Sequence, residues 1–236
     1  MEDMSFVFQR KEVKFRVTDS QREAFLKLTS EYMHPDIYGE STIMSLYFDT
    51  DSFQLLRRSA EHPLYKEKLR FRSYGVPNDA SVVFLEIKKK FDGIVYKRRI
   101  SLPYHDYRTF ADGDVTALPD TQIGREIAYF TGHYPTLSPK VLVCYERSAF
   151  FANDDATTRV TFDRNIRYRF SDLSPDKGAD GKSILEEGTD ILELKFYSFV
   201  PKYISDALTE LDIKPFSFSK CGTAYNEEIL RRINNA

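Results

Sequence analysis

The sequence predicts an α+β protein dominated by antiparallel sheet, closed as a β-barrel of about eight strands with a basic interior and helices packed on its outside. Three observations predict it. Segments with strict period-two alternation recur along the chain, the mark of strands with two unlike faces. One face of these strands carries mostly Arg and Lys, in a chain whose formal net charge is −2. Between them lie stretches with apolar residues three and four apart, which are helices in need of an apolar surface to cover.

In chain order, the alternating segments are 8–17, 43–49, 66–74, 81–90, 94–102, 140–149, 157–169 and 190–197. The helical stretches are 20–33, 51–58, 122–132, 201–211 and 222–234. The first of these opens on Ser20 with Glu23 three residues later, the spacing of a capping box. Residues 171–190 are rich in Ser, Asp, Gly and Pro and are expected to form a long mobile loop. That segment contains GADGKS, the ending of a nucleotide-binding glycine loop. Its first glycine would have to stand at 176, where the chain has Asp176, and no apolar strand precedes it.

The 236 residues, 42% hydrophobic and 30% charged, suit a single packed domain over 1–236. No run of about 18 apolar residues is present, so no membrane insertion is expected. The opening MEDMSFVFQRKEVKF lacks the apolar core of a secretory signal. A cytoplasmic, reducing location follows as the expectation, with Cys144 and Cys221 unpaired and Cys144 an inert buried thiol under a helix. His34, His62, His105 and His133 show no zinc-ligand spacing.

Sorting each strand by face isolates the chemistry. Arg10, Glu12, Lys14 and Arg16 oppose Val13, Phe15 and Val17. Lys68, Arg70 and Arg72 oppose Leu69 and Phe71; Glu86, Lys88 and Lys90 oppose Val83, Leu85 and Ile87. Lys97 and Arg99 oppose Ile100 and Leu102. Tyr145 and Arg147 share a face, as do Arg159, Thr161 and Asp163, and Glu193 and Lys195. An ordinary solvent face mixes the two signs. Repeated cationic faces instead point to a common anionic ligand, and phosphate oxygens accept charge-assisted hydrogen bonds from many Arg and Lys donors. Glu12, Glu86, Asp163 and Glu193 either hold these cations in ion pairs or coordinate a divalent metal beside phosphate. An open basic sheet for nucleic acid is the competing geometry. It calls for aromatics interleaved among the cations, and these faces carry few beyond Tyr145 and Tyr74, so no nucleic-acid partner is expected.

Short motifs in order along the chain sharpen this. R-x-E-x-K-F (Arg10, Glu12, Lys14, Phe15), SLYFDTDSF (45–53), KLRFRSYG (68–75), FLEIKKK (84–90), YKRRISL (96–102), YERSAF (145–150), ILELKF (191–196) and FSFSKCGTAY (216–225) run from about residue 8 to 226. As an ordered set they resemble the VTC polyphosphate polymerase domains of the triphosphate tunnel metalloenzymes. The resemblance implies a triphosphate tunnel fold and transfer of the ATP γ-phosphate onto a growing polyphosphate chain, with Mn²⁺ or Mg²⁺. It implies phosphate contacts from Lys14, Arg70, Arg72, Lys88, Lys97, Arg99, Arg147, Ser219 and Lys220, flanked by Arg10, Lys68 and Lys195. The catalytic set would be Lys14, Arg70, Arg72, Lys88, Arg147, Glu193 and Lys220. Glu193 would ligate the metal, with Glu12 and Glu86 as further candidates. The expected ligands are ATP, triphosphate, pyrophosphate and polyphosphate, and a membrane protein is the expected kind of macromolecular partner. The same scaffold also suits a triphosphatase or a non-catalytic phosphate sensor, and the sequence leaves the three open.

Overall fold

A computed structural model describes residues 11–61, 63–92, 94–155 and 157–234, and within the last helix the side chains of 230 and 232–234 are not considered. The strands are β1 (Lys11–Thr18), β2 (Met33–Pro35), β3 (Ser41–Asp49), β4 (Tyr65–Tyr74), β5 (Val82–Phe91), β6 (Ile94–Pro103), β7 (Ser138–Ala152), β8 (Arg159–Arg169), β9 (Lys182–Ser183) and β10 (Thr189–Phe196). The α-helices are α1 (Asp19–Thr29), α2 (Gln54–Ala60), α3 (Tyr104–Ala111), α4 (Gln122–His133), α5 (Lys202–Glu210) and α6 (Lys220–Asn234). Short 3₁₀ turns lie at Val115–Ala117 and Pro175–Lys177. The chain is therefore α+β, and every strand pair whose register is described is antiparallel.

Hydrogen bonding orders the strands β1-β10-β8-β7-β3-β4-β5-β6, with β2 beside β7 and β9 beside β8. β1 and β6 stand at the two ends of that order and do not pair with one another among the described residues. The sheet seen here is therefore an open path, where the alternation pattern led to the expectation of a closed barrel. Alternation sets which face a side chain occupies, but it carries no information on whether the first and last strands meet.

Two compact units divide the chain. The first combines the residues up to Ser41 with Glu146–Asn165 and Leu185–Phe218; the second combines Thr42–Tyr145, Ile166–Ile184 and the residues from Ser219 onward. Each has its own apolar core. In the first, α1 and α5 supply Phe25, Ile204 and Leu208 against Phe15, Phe162, Leu192 and Leu194 of the sheet. In the second, Tyr104, Tyr107 and Phe110 of α3 and Ile127 and Phe130 of α4 cover Leu69, Phe71, Leu85 and Ile100. Cys144 lies in that second core, and both cysteines are buried free thiols. These contacts use the apolar strand faces, which leaves the cationic faces for other work.

Local chemistry explains where helices begin. The capping box falls at Thr18 and Gln21, two residues before the expected Ser20–Glu23 pair: the Thr18 hydroxyl accepts from the Gln21 amide at 3.2 Å, and the Gln21 side chain accepts from the Thr18 amide at 3.0 Å. β1 runs up to Thr18, so the extended backbone that a cap requires sits there. α1 stops at Thr29, and Met33–Pro35 forms β2 where a longer helix was expected. Pro35 disfavours helical backbone at the residue before it. α2 starts three residues later than expected and takes an unusual cap. Asp49, fully buried, accepts from the amides of Thr50, Leu55 and Leu56 at 2.8–2.9 Å. Phe53 turns the chain into the helix at a left-handed φ of 56°.

Segment 171–190 contains one 3₁₀ turn and β9. Arg169 donates to the carbonyls of Asp172, Ser174, Gly178 and Asp180, and Arg167 donates to that of Ala179 at 2.9 Å. Gly181, the glycine of the GKS sequence, lies against the Tyr168 backbone. A Cβ there would stand 2.6 Å from the Tyr168 carbonyl oxygen, so close packing accounts for this glycine. Among the described residues, no helix is long and apolar enough to cross a membrane.

Candidate functional site

In the second unit, β3 to β6 align their polar residues in register. One row is Ser45, Arg72, Phe84 and Ser101; the next is Tyr47, Arg70, Glu86 and Arg99; a third joins Lys68, Lys88 and Lys97. Three adjacent strands thus bring together six of the expected phosphate contacts on one face, because a period-two pattern in register stacks like on like.

Glu86 is the fixed point of this face. Its side chain is 1% exposed. Arg70 donates to Glu86 Oε2 through Nε at 2.9 Å and again through Nη2, and Lys97 Nζ stands 2.5 Å from Oε1. Burial by itself would raise the Glu86 carboxyl. Arg70, Arg72 and Lys97 overcome that and hold it down to about 2. Arg70 moves upward: burial opposes its charge, but Tyr47 and Glu86 outweigh burial. Lys97 is lowered by burial despite Glu86. Glu86 therefore spends both oxygens on cations. In this arrangement Glu86 acts as an ion-pair partner of Arg70 and Lys97.

The depressed Glu86 pKa makes stability depend on pH. A carboxylate held below its unfolded value of 4.5 stabilises the fold in full above that pH and loses the contribution as pH falls toward about 2. Urea melts of the wild type and Glu86→Gln between pH 5 and 2 check this. The wild type is expected to lose stability more steeply across that window, and parallel curves would refute the assignment.

Arg72 differs from its neighbours. It is 8% exposed, and its Nη2 reaches only neutral hydroxyls, Ser45 Oγ at 3.5 Å and Tyr145 Oη at 3.3 Å. Its Nε is buried with no hydrogen-bond partner among the described residues. A buried guanidinium with no carboxylate bonded to it is costly. An anion bound beside it would offset that cost.

The start of α6 touches this set. Lys220 Nζ lies 4.6 Å from the centre of the Tyr145 ring. Ser219 Oγ accepts from the Gly222 amide at 3.3 Å at the start of the helix. Lys68 Nζ, on β4, donates to Cys221 Sγ at 3.2 Å. Burial pushes the Cys221 thiol up, but Lys68 and the Ser219 hydroxyl pull harder, and the thiol ends below its ordinary value. Lys68 is raised in return: burial opposes its charge, and Cys221 and Tyr47 support it. Lys68 is thus held in its charged form on the same face as Arg70.

The first unit carries a second set. Lys195 Nζ pairs with Glu193 and lies 3.8 Å from Glu12, whose other oxygen is 3.4 Å from Lys14 Nζ. Lys14 also donates to the Phe218 carbonyl at 3.0 Å. Arg147 grips the fully buried Asp163 with two bonds, Nε at 2.5 Å and Nη2 at 2.7 Å. That fork fixes the guanidinium of Arg147, one of the expected phosphate contacts, on its strand. Arg10 lies outside the described residues. Two carboxylates, Glu12 and Glu193, thus converge on the single ammonium of Lys195. Among the described residues no three or more His, Cys, Asp or Glu side chains gather as a metal cage. One or two carboxylates completed by phosphate oxygens and water are nevertheless the usual holding of Mg²⁺, and Glu12 and Glu193 fit that pattern.

The VTC domain family model matches residues 9–227. The chain belongs to the VTC domain family. No curated protein matches it in sequence. Its fold is shared with solved structures of low identity. A Hippeastrum protein, provisionally named an adenylyl cyclase and described as having a dominant triphosphatase activity, aligns at TM-score 0.54 with 13% identity, covering 92% of this VTC domain and 95% of that chain. A protein of Vibrio parahaemolyticus, provisionally named an adenylate cyclase, aligns at 0.50 with 12% identity over 92% and 98%. One from Bacillus halodurans, named likewise, aligns at 0.50 with 14% identity over 89% and 95%. These likenesses show that this VTC domain shares its fold with those proteins.

Sequence reasoning missed Tyr47, Cys221 and Phe84 on the face of the VTC domain that holds Arg70. Tyr47 takes a long bond from Arg70 at 3.4 Å, and Arg99 lies over the Phe84 ring at 4.7 Å. The signal for Tyr47 and Phe84 was present, since both share strand parity with Arg70 and Glu86. Cys221 had no such signal, because its partner Lys68 is 153 residues away.

Proposed function

We propose that this VTC domain is a metal-dependent polyphosphate polymerase that moves the γ-phosphate of ATP onto a polyphosphate chain held by cationic strand faces. Arg72 carries the reading: a buried guanidinium with no carboxylate bonded to it among the described residues, one row along the same face from Arg70, Glu86 and Arg99, is a group prepared for an anion. In the second unit, Lys68, Arg70, Arg72, Lys88, Lys97, Arg99, Ser219 and Lys220 would bind phosphate oxygens; within the first unit, Lys14, Arg147 and Lys195 are proposed phosphate contacts in their own right. Such donors neutralise charge and orient the reacting groups without a protein nucleophile, since the end of the polyphosphate chain attacks. Glu193 and Glu12 would hold Mn²⁺ or Mg²⁺, which supplies further neutralisation of the transferring phosphoryl group.

A second reading, hydrolysis of triphosphate on the same scaffold, draws on the triphosphatase activity described for the Hippeastrum protein. It needs a positioned water and a base, for which Glu12 and Glu193 are the nearest carboxylates to Lys14 and Lys195. Incubation with ATP and Mn²⁺, with products resolved on a gel and free phosphate assayed alongside, separates the two. Polymer supports the polymerase, free phosphate without polymer supports hydrolysis, and binding with neither product supports a sensor. In the same assay Glu193→Gln is expected to lower turnover at least tenfold while tripolyphosphate affinity changes less than threefold. An equal loss of both would make Glu193 a structural partner of Lys195.

A further inference from the structure

The face that carries Arg70 and Arg72 does not end in charge. One same-face step beyond Arg72 on β4, about 6.7 Å along the strand, stands Tyr74. The same step from Phe84 on β5 reaches Val82. Tyr74 is 53% exposed and Val82 63% exposed. The Tyr74 and Phe84 rings meet edge to face at 5.9 Å, and the Arg99 guanidinium covers the Phe84 ring at 4.7 Å. Ile43, the register partner of Tyr74 on the neighbouring strand, is buried.

Exposed apolar side chains scattered singly are ordinary. This group is not scattered. It shares strands, face and register with the cation rows, so a single ligand lying along β4 and β5 meets Lys68, Arg70 and Arg72 and then an aromatic shelf. Inorganic polyphosphate has nothing to place on such a shelf. A molecule with a phosphate chain at one end and a planar aromatic group at the other fits both parts. We infer that Tyr74, Phe84 and Val82, with Arg99 above Phe84, form the subsite for the base of a nucleoside triphosphate whose phosphates lie on Arg70 and Arg72. Every base has a π face, so a subsite that acts by stacking distinguishes nucleotide from inorganic phosphate rather than one base from another.

This inference rests on the phosphate-binding reading, and one titration series separates the two. Affinities for ATP and for tripolyphosphate are measured by calorimetry on the wild type, Tyr74→Ala and Phe84→Leu. Tyr74 is half exposed, so its truncation leaves the core alone. Base stacking worth about 1–3 kcal/mol predicts that Tyr74→Ala and Phe84→Leu weaken ATP by about 5- to 100-fold and leave tripolyphosphate within twofold. Unchanged ATP affinity in Tyr74→Ala, or equal loss of both ligands in each variant, would overturn the subsite while leaving phosphate binding in place. A wild-type protein that binds neither ligand would sink the phosphate reading and the subsite with it.

Discussion

Arg72→Ala is expected to weaken tripolyphosphate binding by about 10- to 100-fold while leaving thermal stability within about 1 kcal/mol of wild type. The first half follows from the loss of charge-assisted hydrogen bonds, each worth roughly 1.5–3 kcal/mol. The second follows from what Arg72 touches: its hydrogen bonds go to the hydroxyls of Ser45 and Tyr145, so its removal strands no bonded carboxylate. Arg70 is the wrong residue for this test, although it lies next to Arg72 on the same face. It holds Glu86, and truncating it leaves a buried carboxylate with Lys97 as its remaining ion-pair partner. A double Arg70/Arg72 substitution would therefore mix lost binding with lost folding. Calorimetric titration together with a melting curve reads both halves, and an Arg72→Ala protein that binds tripolyphosphate like wild type would refute the site.

Glu86→Gln is expected to do the reverse. Removing one partner of a buried ion pair costs about 3–5 kcal/mol, which in a chain of this size lowers Tm by roughly 6–20 °C. Arg70 and Lys97 are then left without their shared carboxylate, and a bound phosphate chain is the natural replacement. The Tm increase on adding saturating tripolyphosphate should therefore be larger in Glu86→Gln than in wild type, because a ligand that binds the folded state more tightly stabilises it more. Differential scanning fluorimetry with and without tripolyphosphate measures this. A variant that melts with the wild type, or gains no more from ligand, would show that Glu86 is not the charge around which the face is organised.

What the sequence made legible was the set of faces. Lys68, Arg70 and Arg72, then Glu86 and Lys88, then Lys97 and Arg99 fall in register on β4, β5 and β6 because strand parity is a local rule. What it hid was partnership. Arg70 with Glu86 and Arg147 with Asp163 are each sixteen residues apart, across hairpins whose register alternation alone does not fix. From parity, Arg72 and Arg147 look equivalent. In the structure, one lacks a bonded carboxylate and the other is gripped by two bonds. Among the elements, β2 and β9 are too short to show a period. α3 was overlooked although Tyr104, Tyr107 and Phe110, three apart and all buried, announce a helical stripe; the Pro103 before them reads as a break and is in fact the cap. α1 was mis-started because Thr18–Gln21 and Ser20–Glu23 have the same spacing, and the end of β1 decides between them.

The chain segments of the two units alternate along the sequence, and this bears on how the protein is made. The first unit needs β1, the strands near 150–163 and then β10 and α5; the second is completed by α6 at the far end of the chain. A ribosome delivering residues from the N-terminus therefore releases β1 and α1 long before their core partners Leu192, Leu194 and Ile204 exist. Contacts of such long sequence separation form slowly. Until synthesis passes Leu208, the apolar faces of β1 and α1 have no partner from α5, and a nascent chain in that condition is prone to association and to capture by chaperones.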